Sequence, residues 1–125
     1  MKVLHLTLKK KWFDMIASGE KKEEYRELKE YWIKRLLANI EYLTDKKDID
    51  AVGARFSEFD AVCFHWGYKK NHPTITREFI STSIGKAVSE WSDNWQGEVF
   101  RIKLGEILNF NPPLPSNNIC KQGIK

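Results

Sequence analysis

Side chains that could bind a ligand or take part in catalysis are concentrated in one short segment, residues 19–26, which reads GEKKEEYR. Lysine, arginine and a carboxylate beside an aromatic ring are groups that bind phosphate and pair with the edge of a base. In an extended conformation Lys22, Glu24 and Arg26 share one face of the strand, and Lys21 lies on the other. A bulge near the start of the segment would bring Lys21 to the side of Glu24 and Arg26. The segment therefore predicts a site for an anionic ligand, provided that it is extended.

The conformation of this segment is ambiguous from local pattern alone. Apolar residues recur every three or four positions from residue 20 to residue 43, which is typical of one long amphipathic helix, and the composition agrees. We predict a helix over the second half, residues 29–43. The first half is either the start of that helix, with a solvated charged face, or a strand. The like-charged pairs Glu20–Glu24 and Glu23–Glu27 weaken the helical alternative.

The rest of the chain alternates strand patterns with one further helix. Strict alternation predicts a strand over residues 3–8, and an apolar stripe predicts a helix over residues 9–18, ended by Gly19. Further segments follow in chain order: a loop at 44–60, strands at 61–68 and 74–84, a short helix or ordered loop at 86–96, and a strand at 98–104 that extends or bulges at 105–108. Short strands with two helices indicate an α+β domain, with a small barrel as the expected architecture.

Composition places the chain among small proteins with a basic N-terminal part. It has 125 residues, 42% of them hydrophobic, and a formal charge of +4. Residues 1–35 hold 10 Lys/Arg against 6 Asp/Glu, so the whole excess lies there. Such an excess suits RNA, DNA or a nucleotide, although it is also ordinary for solubility. No apolar run approaches the roughly 20 residues of a membrane span, and three lysines at 9–11 interrupt the N-terminal run, so we expect no membrane partner and a cytoplasmic location.

The cysteines and histidines suggest a metal site only weakly. Cys63 and Cys120 do not form a disulfide framework, which favours a reducing compartment. Cys63 and His65 are two residues apart on a predicted strand and face the same side, but zinc needs further ligands, and His72 is the only neighbour in sequence. We therefore predict ordinary sheet residues here, with no metal and no cofactor. The sequence contains no phosphate-binding loop ending in Gly-Lys-Ser/Thr, no glycine fingerprint of dinucleotide-binding folds and no Gly-x-Ser-x-Gly nucleophile elbow.

Several segments, taken in order, resemble the ASCH domain, a relative of the PUA fold. They read WFxxIxSGxKKxExR at residues 12–26, FDAVxFxxGY at 59–68, IG at 84–85 and GEVFRIKLGEI at 97–107. The resemblance covers about residues 1–108 and leaves a Pro/Asn-rich C-terminal tail at 109–125, expected to be extended or mobile.

The resemblance implies a PUA-like mixed β-barrel of five to six strands with two to three flanking helices. It also implies that residues 21–26 form a strand, beside a cleft next to the first helix. From the resemblance, we expect the ligand-binding residues to be Lys21, Glu24, Arg26, Trp66, Gly67 and Tyr68.

Three functions remain open from the sequence. The first is binding of RNA or a nucleotide-like ligand, with Lys21 and Arg26 on phosphate, Glu24 orienting them or accepting from a base amino group, and Trp66 or Tyr68 as a stacking surface. The second is an amidohydrolase acting on a modified nucleoside. The third is a protein-interaction module in which the tail recruits a partner.

The enzymatic alternative also follows from the resemblance. Some small ASCH members deacetylate N4-acetylcytidine with a lysine, a threonine nucleophile three residues later and a distant glutamate. Lys21 matches that lysine, but Glu24 stands at the threonine position, and a carboxylate does not replace the hydroxyl in ordinary acyl transfer. The catalytic residues would then be Lys21, as general base, and Glu24, as its partner in activating water.

Overall fold

A computed structural model describes residues 1–38, 55–67 and 70–111. In chain order the elements are β1 (Val3–Leu8), α1 (Lys10–Ser18), β2 (Glu23–Arg26), α2 (Glu30–Leu36), β3 (Ala61–Trp66), β4 (Thr74–Lys86), a short 3₁₀ helix (Ser89–Trp91) and β5 (Glu98–Asn111). The predicted α+β class is confirmed, with two α-helices and one mixed sheet among the described residues. No described helix has the length and apolar character needed to cross a bilayer.

The five strands lie in the order β1-β3-β4-β5-β2. β1 and β3 pair in parallel, and the other neighbouring strands are antiparallel. The register of β4 against β5 shifts between Thr76 and Ser81, opposite the 105–108 segment that the sequence predicted to extend or bulge. β5 continues to Asn111, so the first three residues of the predicted tail belong to a strand. The remainder, 112–125, lies outside the described residues.

A closed barrel is not confirmed. β1 and β2 are the two edges of the sheet, and no ladder of backbone hydrogen bonds joins them in the described ranges. One side chain does span the two edges, because Nη2 of Arg26 on β2 donates to the carbonyl oxygen of Thr7 on β1 at 3.1 Å. The two open edges therefore meet at Arg26.

The ambiguous charged segment forms a strand rather than a helix. Gly19, with φ of 85°, ends α1 in a left-handed conformation that favours glycine. Lys21 then donates its backbone N–H to the Met15 carbonyl at 3.0 Å, and β2 pairs with β5, placing Glu23 opposite Lys103. Pairing with β5 satisfies the backbone and buries Tyr25, which outweighs the helical propensity of the charged residues. The predicted 29–43 helix is confirmed only as α2, which begins at Glu30 and ends at Leu36. It was wrong for the next residue, because Leu37 is extended and forms a bridge with Phe56, and residues 39–43 lie outside the described residues.

The apolar core lies between α1, α2 and one face of the sheet. Alternate residues of β1 point into it, α1 contributes its apolar stripe, and β3, β4 and β5 also contribute side chains. Its most buried members include Leu4, Leu6, Ile16, Ile33, Leu36, Val62, Phe64, Ile75, Phe100 and Ile102. Trp12 and Phe64 are buried in this core, whereas Trp32 and Trp95 are only half-buried. Those two tryptophans are therefore partly available to a ligand.

One buried cation ties the start of β2 to the rest of the sheet. Arg77 on β4 is 5% exposed, and its guanidinium donates two hydrogen bonds to the Gly105 carbonyl, at 2.8 and 3.0 Å. It also donates to the carbonyls of Ile16 at 3.3 Å and Lys21 at 2.8 Å. A single side chain thus fixes the end of α1, the backbone of Lys21 and the irregular part of β5.

Candidate functional site

A cavity of about 130 Å³ lies where α1, β2, the end of β1 and the loop after the 3₁₀ helix meet. Its walls carry charged groups and aromatic rings side by side, namely Lys9, Lys21, Glu24, Arg26 and Asp93, with Trp12, Tyr25, Trp91 and Trp95. The structure thus brings the predicted residues Lys21, Glu24 and Arg26 into one cavity wall.

Lys21 lies at the centre of this wall and is 1% exposed. Its Nζ is 3.1 Å from Oε1 of Glu24 and donates a hydrogen bond to the Trp91 carbonyl oxygen. The ammonium also faces the rings of Trp12 and Tyr25, at 4.8 and 4.7 Å from their centres. Burial lowers the pKa of Lys21, and the nearby carboxylate of Glu24 opposes that shift.

Glu24 joins the two cations. Its Oε1 faces Lys21, its Oε2 accepts a hydrogen bond from Nη1 of Arg26, and its side chain is 6% exposed. Because both carboxylate oxygens are used in this way, Glu24 is placed to hold Lys21 and Arg26 in position rather than to bind a ligand directly.

Arg26 is held by several hydrogen bonds, but two of its N–H donors are not used in the described contacts. Besides Glu24, its guanidinium donates to the carbonyl of Tyr25 at 2.7 Å and to that of Thr7 at 3.1 Å, and its Cζ lies 5.0 Å from the ring centre of Trp32. A guanidinium has five N–H donors, and the described contacts of Arg26 use three of them. The other two can serve a phosphate or a carbonyl oxygen.

Tyr25 fixes the loop that covers the cavity. Its hydroxyl donates to Oε1 of Glu23 at 2.8 Å and accepts from the backbone N–H of Val88 at 3.0 Å. Burial raises the pKa of Tyr25, so the phenol stays protonated well above neutral pH. Together with the bond from Lys21 to the Trp91 carbonyl, these contacts hold the loop after β4 against β2.

A wider groove continues outward from the cavity. Its volume is about 490 Å³, and it shares Thr7, Arg26 and Trp95 with the cavity. His5, Tyr31 and Trp32 complete much of its lining. Arg26 therefore stands between a small inner cavity and an open outer groove.

Two of the strand-end residues that the resemblance implied, Trp66 and Gly67, lie elsewhere. Trp66 is 38% exposed and packs beside α1, with its ring centre 6.1 Å from that of Phe13 and 5.4 Å from Nζ of Lys10. Neither Trp66 nor Gly67 lines the cavity or the outer groove. Tyr68 lies outside the described residues. Their role in binding stays a prediction.

The sequence reasoning missed the contribution of the loop that follows β4. Trp91, Asp93 and Trp95 line the cavity, and this segment is some 70 residues from Lys21 in the chain. The closely spaced tryptophans were visible in the sequence, but no local pattern indicated that they would meet β2. Arg77 was missed for the same reason, since it reads as one polar residue in a strand.

The arrangement combines hydrogen-bond donors, an acceptor and ring surfaces around a small space. Lys21 uses two of its three N–H donors on Glu24 and Trp91 among the described contacts, which leaves one for a ligand. Asp93 is exposed at the rim and supplies a carboxylate acceptor. Trp95 and Trp91 are half-buried and offer faces on which a planar ring can stack.

Comparison with known proteins adds no relative. A scan against family models and searches of curated proteins and of solved structures found no match to this chain. The resemblance to the ASCH domain therefore stays a prediction that rests on the sequence motifs.

Proposed function

We propose that this chain is an ASCH-type domain, built on an incompletely closed PUA-like barrel, that binds RNA or a nucleotide-like ligand in the cleft of Lys21, Glu24 and Arg26. The observation that carries the proposal is the buried ion cluster in the cavity wall. Two cations share one carboxylate there, and a buried excess of positive charge favours an anionic or carbonyl-bearing ligand.

The size of the cavity favours one pyrimidine ring. An engineered protein cavity of about 150 Å³ holds benzene, so a cavity of about 130 Å³ suits a single six-membered ring better than a bicyclic purine. The outer groove is large enough for the ribose and phosphate, and Arg26 lies where the two spaces join. Lys21 would then donate to the base carbonyl, Asp93 would accept from an exocyclic amino group, and Arg26 would bind phosphate.

Calorimetric titration with cytidine monophosphate and a short pyrimidine-rich RNA tests this proposal. We expect saturable binding that is weaker for adenosine monophosphate and that weakens as salt is raised. Arg26→Gln should weaken cytidine monophosphate binding about 10- to 100-fold, because a charge-assisted hydrogen bond contributes roughly 1.5–3 kcal/mol.

Lys34→Gln is the matched control for that variant. Lys34 is an exposed cation on α2 that pairs with Glu30, and it lines neither the cavity nor the groove. Its replacement should leave the affinity unchanged. Equal losses in the two variants, or no saturable binding of any of the three probes, would count against the proposal.

One observation favours amide hydrolysis as a second candidate. The lowered pKa of Lys21 makes its neutral amine more available at neutral pH, and a neutral amine is what a general base requires. In N4-acetylcytidine, water would attack the acetyl carbonyl while Lys21 takes the water proton, giving acetate and cytidine. Chromatography should then show turnover that rises with pH and disappears in Lys21→Met. Turnover no greater than in that variant excludes this candidate and leaves binding in place.

A further inference from the structure

Three histidines and one cysteine converge at a second place in the fold. The chain has three histidines in all, His5, His65 and His72, and the described structure brings them together with Cys63. Nδ1 of His5 lies 2.9 Å from Nε2 of His65, and Nδ1 of His65 lies 2.5 Å from Nε2 of His72. The ligand atoms of His5, Cys63 and His65 all lie within 4.8 Å of one another.

The sheet places these groups on adjacent strands. His5 of β1 is in register with Cys63 of the parallel strand β3, and His65 follows two residues later on the same face of β3. This face is opposite the one on which Leu4 and Leu6 enter the core. Three donors are thus fixed by the backbone pairing of two strands, which is a more rigid support than a loop.

His72 comes from the turn that leads into β4. The preceding residue, Asn71, has a positive φ of 64°, and the following residue, Pro73, accepts a hydrogen bond from the backbone N–H of Trp66 at 3.1 Å. The turn is therefore tied to the end of β3, next to His65. Its imidazole meets the nitrogen of His65 that faces away from His5.

We propose that His5, Cys63 and His65 form a binding site for a first-row transition-metal ion of borderline softness, Zn²⁺ foremost, and that His72 orients His65. The ligands would be Nδ1 of His5, Sγ of Cys63 and Nε2 of His65, with a fourth position open to water or another ligand. Imidazole and thiolate donors suit Zn²⁺ and its neighbours, whereas Mg²⁺ and Ca²⁺ prefer oxygen donors.

The geometry requires only small side-chain adjustments. With metal–nitrogen bonds of about 2.0–2.1 Å in a tetrahedral site, two ligand nitrogens stand about 3.3 Å apart. The His5 and His65 nitrogens at 2.9 Å would move apart slightly, and Sγ of Cys63 would move inward. His65 can bind metal through Nε2 while its Nδ1–H donates to His72, an arrangement in which a second hydrogen bond fixes a ligating imidazole.

The spacing of residues in the sequence could not predict this three-residue site. The sequence offered Cys63, His65 and His72, and ordinary sheet residues were the favoured interpretation. The missing ligand, His5, is 58 residues before Cys63 and is brought in by the parallel pairing of β1 with β3. The proposed site uses none of the residues that line the inner cavity, although His5 also lines the outer groove, and its test uses no nucleotide.

Titration of the tag-free full chain with Co²⁺ and Zn²⁺ tests the site. We expect one Co²⁺ per chain, with visible bands of tetrahedral cobalt and a near-ultraviolet thiolate-to-cobalt band, all displaced by Zn²⁺. Cys63→Ser should abolish the thiolate band, and Cys120→Ser, which removes the only other cysteine, should retain it. His65→Ala should weaken Zn²⁺ binding by more than about 100-fold, a larger loss than outer-shell substitutions produce.

The role of His72 has its own variants. His72→Ala should weaken Zn²⁺ binding about 10- to 100-fold while the thiolate band remains, and His72→Gln, which keeps an acceptor, should recover part of the affinity. Zn²⁺ should also raise the Tm of the wild-type chain but not that of Cys63→Ser, and circular dichroism checks that each variant is folded. A Co²⁺ spectrum without a thiolate band, or one that depends on Cys120, or the absence of saturable binding would overturn the proposal.

Discussion

Arg77→Met is expected to lower the free energy of unfolding by about 2–4 kcal/mol, because it removes the donor of four buried or half-buried hydrogen bonds. The carbonyls of Gly105 and Lys21 would lose that donor, while the Ile16 carbonyl still accepts from Gly19. An unsatisfied buried polar group costs roughly 1–3 kcal/mol. Denaturant unfolding followed by circular dichroism measures the change.

Lys86→Met is the matched control for Arg77→Met. Lys86 lies on the same strand, β4, but its side chain is exposed, so its replacement should change the free energy of unfolding by less than about 0.5 kcal/mol. Arg77→Met should also weaken cytidine monophosphate binding, since Arg77 holds the backbone of Lys21. Equal unfolding free energies for the two variants would show that the buried guanidinium does not fix this part of the fold.

The second large effect is expected from the buried pair of Lys21 and Glu24. Glu24→Leu leaves the ammonium of Lys21 buried without its carboxylate, and breaking a buried ion pair in this way costs about 3–5 kcal/mol. Lys21→Met should cost less, because Glu24 keeps its hydrogen bond from Arg26. In the double variant, the loss should be smaller than the sum of the two single losses by about 2 kcal/mol or more.

An exposed pair in the same protein provides the control cycle. Lys10 and Asp14 form an i,i+4 ion pair on α1, with side chains 62% and 54% exposed. Their coupling energy should be only about 0.3–0.5 kcal/mol, since water and salt screen such pairs. Denaturant unfolding of both sets of variants gives the two coupling energies, and a Lys21–Glu24 value no larger than the Lys10–Asp14 value would contradict the account of the buried cluster.

The sequence predicted the helices and strands better than the tertiary contacts between them. Strand patterns predicted strands over residues 3–8 and 61–68, and the structure has strands at Val3–Leu8 and Ala61–Trp66. The 19–26 segment could not be decided from local propensity, since helix and strand both satisfy its charges, and only pairing with β5 selects the strand. Lys21 does lie beside Glu24, at 3.1 Å, but it precedes β2, which begins at Glu23, and the register of β2 against β5 shows no bulge.

The features of the two sites that the sequence did not predict depend on contacts between segments far apart in the chain. Trp91 and Asp93 reach the cavity because Tyr25 and Lys21 bind the backbone of the loop after β4, and no local pattern encodes those bonds. His5 joins Cys63 only through strand order, which a single sequence does not reveal. Trp66 was expected at the cleft, but it packs against α1 beside Lys10 and Phe13.

The central claim, that a pyrimidine nucleotide enters the cavity beside Lys21 and Arg26, is tested most directly by nuclear magnetic resonance. The five tryptophan indole N–H signals are assigned by single Trp→Phe variants and followed during titration with cytidine monophosphate. We predict saturable shifts for Trp91 and Trp95, which line the cavity, and an unchanged signal for Trp66, which does not. Shifts confined to Trp66, or no saturable shift at all, would contradict the claim.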